Sequence, residues 1–213
     1  MLLEEERKQV VEYGKKLIDT GLVVGTFGNI SVYNEKEKLM AISPSGLDYY
    51  STKAEDVVVL NLEGEKVDGD RKPSSEYDMH RIFYMNRPEI KAVVHTHSTY
   101  ATTLACLNWS IPPIHYLVGY AGKEVPCSKY VQFGTWELAQ SALKTMGDGN
   151  ACLLGNHGFL AVGETLSYAF DIAEQMEFVS KLYYGTKAVG EPVLLTEDQI
   201  NVVQNAFKTY RTK

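Results

Sequence analysis

Two histidines stand two positions apart at the end of an apolar, β-branched run, "AVVHTH" (92–97). Successive side chains of a strand alternate between its faces, so His95 and His97 point the same way, as a pair of metal ligands would. A third imidazole follows another apolar run, where His157 stands between glycines in "GNHG" (155–158). Taken alone, His157 is more typical of a structural histidine. Together, three neutral imidazoles with an open fourth position indicate a catalytic zinc ion.

Three short segments are rich in glycine and hydroxyl side chains: "GTFGNIS" (25–31), "SPSG" (43–46) and "KPSSE" (72–76). Each offers backbone N–H groups or hydroxyls that can bind an oxyanion, and the third also begins a helix, whose N-terminus favours anions. A glycine-rich turn by itself is more often only a turn. If the three segments converge, they form one phosphate pocket, but their spacing in the sequence does not determine whether they do.

Glu76 follows the third segment directly, in the first turn of the expected helix. A glutamate there is often only a partner for the helix dipole. Beside a metal and a phosphate pocket, it would instead be a fourth ligand of the empty site or a general base that substrate displaces. The remaining histidines are weaker candidates, because His80 lies within an amphipathic helix and His115 follows "IPPI" without an evident partner.

The 213 residues carry a net charge of −6 with a pI near 5.4, which argues against a nucleic-acid-binding surface. Three cysteines, an odd number without a CxxC pair, argue against a disulfide framework and for a reducing cytosol. The charged N-terminus lacks the apolar core of a signal peptide, and no apolar run approaches the roughly 20 residues of a membrane span. We therefore expect a cytoplasmic protein with no membrane partner.

Hydrophobic periodicity predicts alternating helices and strands. The pattern favours a single domain over residues 1–213, of class α/β, with a central mixed or antiparallel sheet covered by helices. The early pair of strands around "NEKEK" predicts a hairpin, and Ser74 or Ser75 is expected to cap the second helix. Helices are predicted at 3–20, 74–85, 98–107, 135–146, 167–189 and 196–210, and strands at 29–33, 38–43, 56–62, 91–97 and 151–158.

Six motifs occur in an order and approximate spacing that resemble the class II aldolase/adducin family: "GTFGNIS", "SPSG", "PSSE", "VVHTHS", "IPPIHY" and "GNHG". The resemblance runs from the first helix to "FKTY" near the C-terminus and is greatest to the L-fuculose-1-phosphate aldolases of that family. Any one motif would be weak, but the ordered set is specific.

The resemblance implies a role for individual residues. His95, His97 and His157 match zinc ligands, and Glu76 matches a carboxylate that binds the empty metal and moves the catalytic proton. Tyr116 matches a tyrosine that reaches into the neighbouring subunit's site. Further matches bind the substrate phosphate, namely Gly28, Asn29, Ser45, Gly46, Ser74 and Ser75, or shape the aldehyde pocket, namely Phe133, Phe207 and Tyr210. The family often has Thr where Ser45 stands, and the hydroxyl is retained.

The resemblance also implies an activity and an assembly. It predicts a homotetramer with active sites at subunit interfaces and one Zn²⁺ per subunit. The implied reaction is reversible cleavage of a 1-phosphoketose, L-fuculose 1-phosphate, to dihydroxyacetone phosphate and L-lactaldehyde. The metal would stabilise the negative charge that develops on the C2 oxygen.

Three alternatives share the fold. Pentulose-5-phosphate 4-epimerases usually have Asp after the Ser-Ser pair and a "THAD"-like segment in place of "IPPIHY", so Glu76 and Tyr116 favour an aldolase. A sugar-phosphate dehydratase is a weaker alternative. A non-catalytic adducin-like module would have no reason to keep Glu76 together with the three histidines.

Overall fold

A computed structural model of the chain describes residues 1–210, apart from the side chains of Lys208 and Tyr210. The elements alternate along the chain much as the periodicity predicts. The helices are α1 (Glu4–Asp19), α2 (Tyr77–Asn86), α3 (Thr99–Cys106), α4 (Trp136–Met146), α5 (Leu166–Val189) and α6 (Glu197–Tyr210). The strands are β1 (Asn29–Asn34), β2 (Leu39–Ile42), β3 (Val58–Asn61), β4 (Lys66–Asp68), β5 (Ala92–Thr96), β6 (Cys127–Ser128), β7 (Ala151–Leu154) and β8 (Gly158–Gly163).

The eight strands form one mixed sheet in the order β4-β3-β2-β1-β5-β8-β7-β6. Neighbouring strands run antiparallel except β6 and β7, which are parallel. This confirms the predicted fold class, and the predicted hairpin is β1–β2. At the centre of the sheet, His95 of β5 pairs with Asn29 of β1 on one side and with Leu160 of β8 on the other.

Helices cover both faces of the sheet, because its central strands are apolar on both sides. Adjacent residues such as Val93 and Val94 belong to two different hydrophobic clusters, one on each face of the sheet. One cluster packs α1, α3 and α5 against the sheet, and the other packs α2 and α4. A sheet buried on both faces explains why these strands have nearly continuous apolar sequences.

Three strands were not predicted. β4 and β6 have only three and two residues, too few for a periodic signal. β8 was missed because "GFLAVG" begins and ends with glycine and shares Gly158 with "GNHG". The predicted strand 151–158 is in fact β7 followed by a tight turn, in which the N–H of His157 bonds the carbonyl of Leu154 at 3.0 Å.

The predicted helix 74–85 begins later, at Tyr77, so the expected cap by Ser74 or Ser75 is wrong. The N–H of Ser74 bonds the carbonyl of Ser43 at 3.0 Å, and Pro44 and Pro73 form a β-bridge. This pairing holds the segment before α2 extended and attaches it to the "SPSG" loop. Glu76 occupies the position preceding the helix.

Within the described part of the chain, none of the six helices combines the length and the hydropathy that crossing a bilayer requires.

Candidate metal centre and active site

The ends of three central strands bring the predicted metal ligands together. His95 lies in β5, His97 follows its end, and His157 lies in the turn between β7 and β8. Gly158 permits this approach, since a Cβ there would lie 2.4 Å from the carbonyl oxygen of Thr96 and 2.9 Å from the His97 ring. Any larger residue would therefore push the turn away from β5.

Glu76 joins the three histidines from the segment before α2. One ligand atom from each of the four residues lies within 4.8 Å of all the others. The Nε2 atoms of His95 and His97 are 3.0 Å apart. The two Glu76 oxygens divide their contacts, Oε2 lying 3.3 Å from His95 Nε2 and Oε1 lying 3.3 Å from His157 Nε2.

The protonation of this cluster suits a cation. His95 Nδ1 lies 2.9 Å from the carbonyl of Phe159, which can only accept, so Nδ1 carries the proton and the Nε2 lone pair faces the cluster. Burial lowers the pKa of His97 to about 3 and that of His157 to about 4, which keeps both rings neutral at pH 7. Burial alone would raise the pKa of Glu76, but positive charge at the positions of His95 and His157, which a bound metal would supply when the rings are neutral, and a hydrogen bond from Asn29 lower it.

Two buried atoms of the cluster lack a hydrogen bond among the described residues, Glu76 Oε1 and His157 Nδ1. A buried carboxylate oxygen without a donor is costly unless something else neutralises it. Three imidazoles and one carboxylate form a donor set that binds a divalent transition metal such as zinc. The residues therefore fit the metal that the sequence predicts.

The three small segments do converge. They surround a cleft of about 400 Å³ that also contains Glu76, His97 and His157. Gly28 turns the first segment with a φ of +77°, and a Cβ there would meet Val23 at 2.6 Å and the His95 carbonyl at 2.8 Å. The lining residues from these segments are Thr26, Phe27, Gly28, Asn29, Pro44, Ser45, Gly46, Ser74 and Ser75.

No lysine or arginine is among the residues of the described chain that line this cleft. An anion there would be held by hydroxyls and by N–H groups at the start of α2. The cleft thus places an oxyanion-type pocket directly beside the metal ligands.

Aromatic side chains form the outer rim of the cleft. Phe133, which the resemblance implies for the aldehyde pocket, lies there together with Phe27 and Tyr130, which sequence reasoning missed. These three side chains are 57–63% exposed, and the Phe27 ring stacks on His97 with 5.7 Å between ring centroids. Asn156 also lines the cleft and was missed. Phe27 and Asn156 lie inside the motifs "GTFG" and "GNHG". Their positions next to Gly28 and His157 in the sequence could have indicated that they line the cleft.

Tyr116 and Phe207 do not line the cleft of their own chain. Tyr116 is half exposed and lies next to the rings of His115 and Phe207, at centroid distances of 4.6 and 6.2 Å. Phe207 packs on Tyr120 at 4.0 Å. The side chain of Tyr210 lies outside the described residues. The roles that the resemblance implies for these three aromatic residues remain predictions.

The chain is similar to known proteins along most of its length. The family model for the class II aldolase and adducin N-terminal domain matches residues 8–184. A "5-deoxy-D-ribulose 1-phosphate aldolase" of Bacillus thuringiensis serovar kurstaki is 52% identical over 99% of each chain. An "L-fuculose phosphate aldolase" of Escherichia coli K12 is 36% identical over 95% of this chain and 94% of its own.

A solved structure titled "L-fuculose 1-phosphate aldolase" has 44% identity, covers 96% of both chains and superposes with a TM-score of 0.94. Both sequence and fold therefore agree with the resemblance drawn from the motifs. The chain belongs to the class II aldolase and adducin family, as a metal-dependent aldolase.

Proposed function

We propose that this protein is a zinc-dependent aldolase that reversibly cleaves a 1-phosphoketose to dihydroxyacetone phosphate and an aldehyde. The observation that carries the proposal is the shared cleft, in which the Glu76 and histidine cluster adjoins three oxyanion-type segments. One three-carbon unit with a phosphate on one terminal carbon, and a carbonyl and a hydroxyl on the other two carbons, would contact both.

His95, His97, His157 and, in the absence of substrate, Glu76 would hold the zinc ion. When bound, the metal supplies a Lewis acid that stabilises negative charge on the substrate oxygens. The phosphate would bind among Gly28, Asn29, Ser45, Gly46, Ser74 and Ser75.

The remaining steps are proton movements. Cleavage of the C3–C4 bond needs the C4 hydroxyl to lose its proton as the aldehyde forms, and the electron pair passes to C3 and the C2 oxygen. We assign that first proton to Tyr116. Tyr116 passes that proton to solvent. Glu76, which is ionised at rest, takes up one proton from solvent and delivers it to C3, so the cleavage consumes no net proton. The hydrogen bond from Asn29 holds one oxygen of the carboxylate in place during this transfer. No lysine is needed to form a Schiff base.

The position of Tyr116 supports a site shared between subunits. Its side chain is half exposed and is not among the residues that line the cleft of its own chain, which favours action on a neighbour's substrate. We therefore propose the homotetramer that the resemblance implies, with Phe207 and Tyr210 near the same interface.

Two ketose phosphates are the leading substrate candidates. The motifs favoured L-fuculose 1-phosphate, which releases L-lactaldehyde, whereas the relative with 52% identity is named for 5-deoxy-D-ribulose 1-phosphate. Cleavage of the latter at the same bond releases acetaldehyde. Both share the dihydroxyacetone phosphate half and end in a methyl group that suits an aromatic rim. The higher identity leads us to propose 5-deoxy-D-ribulose 1-phosphate first and L-fuculose 1-phosphate second. Such charged metabolites, together with three free cysteines, also support a cytoplasmic location.

The test incubates the purified protein with both ketose phosphates and with a pentulose 5-phosphate, and follows dihydroxyacetone phosphate. We expect release from at least one 1-phosphoketose, about one zinc per subunit, loss of cleavage on chelation and recovery with zinc. Conversion of the pentulose 5-phosphate without fragment release would instead identify a 4-epimerase. Absence of both zinc and turnover would identify an adducin-like module, and cleavage that survives complete metal removal would contradict the zinc mechanism.

A further inference from the structure

A line of buried polar side chains leads from Glu76 into the core, and the reaction steps above leave most of it unused. Asn29, His80, Ser31 and Tyr84 are at most 5% exposed. They lie among the apolar residues that pack α2 against the sheet. Burying polar groups there is costly unless each is satisfied, and an apolar core would serve stability as well.

The secondary structure explains the alignment. Glu76, His80 and Tyr84 are spaced four apart, so α2 and the capping position before it place them along one side. Asn29 and Ser31 are two apart in β1 and therefore point to the same face of the sheet. Helix and strand thus interleave five side chains into one chain of hydrogen bonds.

The contacts are short and continuous. Asn29 Nδ2 donates to Glu76 Oε2 at 3.0 Å, and His80 Nε2 lies 2.5 Å from Asn29 Oδ1. Beyond the ring, Ser31 Oγ lies 2.7 Å from His80 Nδ1 and 2.5 Å from the Tyr84 hydroxyl.

The chemistry of each group determines the direction of every bond. An ionised carboxylate only accepts, so Asn29 presents its NH₂ to Glu76 and its carbonyl oxygen to His80. That oxygen only accepts, so His80 carries its proton on Nε2. Burial lowers the pKa of His80 to about 3, which keeps the ring neutral, so Nδ1 accepts from Ser31 and Ser31 accepts from Tyr84. All four donors point toward Glu76.

We propose that His80 is a positioning residue for the proton-transfer step: it fixes the carboxamide of Asn29, which anchors Glu76 Oε2 and leaves Oε1 free to carry the proton. The inference rests on the proposed function. It explains why Oε2 has a hydrogen-bond donor while the buried Oε1 has none among the described residues. Without His80, the carboxamide could rotate and offer its oxygen to the carboxylate, which would repel it.

The test uses the proton exchange at C3 of dihydroxyacetone phosphate in D₂O, measured per bound zinc. His80→Leu removes the donor, whereas His80→Gln keeps an N–H that can reach Asn29. We expect His80→Leu to slow exchange about tenfold, the equivalent of one hydrogen bond, with zinc retained. His80→Gln should preserve most of the rate. Ser180→Ala, which removes another fully buried hydroxyl that donates to the Met176 carbonyl within α5, is the control for a change in core packing.

A double-mutant cycle separates positioning from general stability. If His80 acts through Asn29, His80→Leu should cause no further loss in an Asn29→Ala background. Equal losses in both backgrounds, or equal losses for His80→Leu and His80→Gln, would overturn the proposal.

A second measurement uses the wild-type holoenzyme, so it does not depend on whether a variant folds. ¹⁵N NMR should find His80 neutral with its proton on Nε2 from pH 6 to 9, and a proton on Nδ1 would refute the proposed direction. The result that would refute the proposed function is a different one. In that case the wild-type protein itself would neither cleave ketose phosphates nor exchange the C3 proton.

Discussion

The two ends of the cleft are built differently. At the metal end, Glu76 and His95 are almost fully buried, and strand ends or hydrogen bonds hold each side chain. At the aromatic rim, Phe27, Tyr130 and Phe133 are more than half exposed and lie on loops between strands and helices. The metal end is therefore buried and hydrogen-bonded within one chain, whereas the aromatic end stays exposed. On the proposed function, the metal end would bind the dihydroxyacetone phosphate half of the substrate and the aromatic end would face the aldehyde.

This difference suggests that the two ends of the cleft contribute to different steps of the proposed reaction. On the proposed mechanism, proton exchange on dihydroxyacetone phosphate would need only the metal end, whereas carbon–carbon cleavage would also need a group at the open end. Substitutions at the two ends should therefore affect the two reactions differently, and the predictions below are ordered by the size of that effect.

Glu76→Gln should lower both reactions. The amide keeps the volume and can still bind metal weakly, but it cannot carry a proton, and general acid–base groups typically contribute about 10²–10⁴-fold. We expect cleavage and exchange to fall together by that order, measured as kcat and as deuterium uptake, with zinc content largely retained. Exchange at the wild-type rate would assign the proton to another residue.

Tyr116→Phe should separate the two reactions. Loss of one hydroxyl should slow cleavage about a hundredfold, within the range for a general acid–base group, while exchange stays near the wild-type rate. Mixing this variant with Glu76→Gln under subunit exchange should restore activity above either parent, because some interfaces then pair an intact Glu76 with an intact Tyr116. Mixed oligomers that form and stay inactive would contradict the shared site.

Phe133→Ala should change substrate choice alone. Removing one aromatic contact from the rim should alter the ratio of the kcat/KM values for the five-carbon and six-carbon ketose phosphates about tenfold. Contacts with one or two apolar carbon atoms typically change the discrimination between substrates by about that much. Exchange should stay unchanged. Met85→Ala is the matched control, since it removes another half-exposed apolar side chain outside the cleft. Equal effects of both substitutions would exclude Phe133 from the aldehyde pocket.

The smallest expected effect is the change in thermal stability of the metal-free protein with pH. His97 and His157 have folded-state pKa values of about 3 and 4, below the 6.5 of an unfolded histidine. Between about pH 6.5 and 4 the unfolded chain therefore binds more protons, so acid lowers the free energy of unfolding. We expect Tm to fall by roughly 2–4 °C per kcal/mol lost between pH 7 and 5. His157→Gln should reduce that slope, and a Tm that rises with acid would contradict the neutral cluster.

Much of the metal end was predictable because its signals are local. The alternation of a strand places His95 and His97 on one face without any tertiary information. Likewise, the positive φ of Gly28 and Gly46 is a property of the loops themselves, and glycine is the residue that adopts it most readily.

Other parts of the site were not predictable because they depend on packing. Ser74 lies outside α2, in contrast to the prediction, because its N–H bonds the carbonyl of Ser43, a residue that is distant in the sequence. His80 looked like an ordinary helix residue, since nothing near it in the sequence indicates that Asn29 and Ser31 lie opposite. Phe27 was read only as part of a glycine-rich turn.

The sequence by itself determined the ligand types, the strand end at which His95 and His97 lie and the loops that can turn around an oxyanion. Only the tertiary structure decided that Glu76 reaches the histidines with Oε2 bonded to Asn29 and with Oε1 lacking a hydrogen-bond donor among the described residues. The physical reason is that strand alternation and loop conformation are set by neighbouring residues, whereas the position of Glu76 depends on how α2 packs across β1 and on the hydrogen bonds that become possible there.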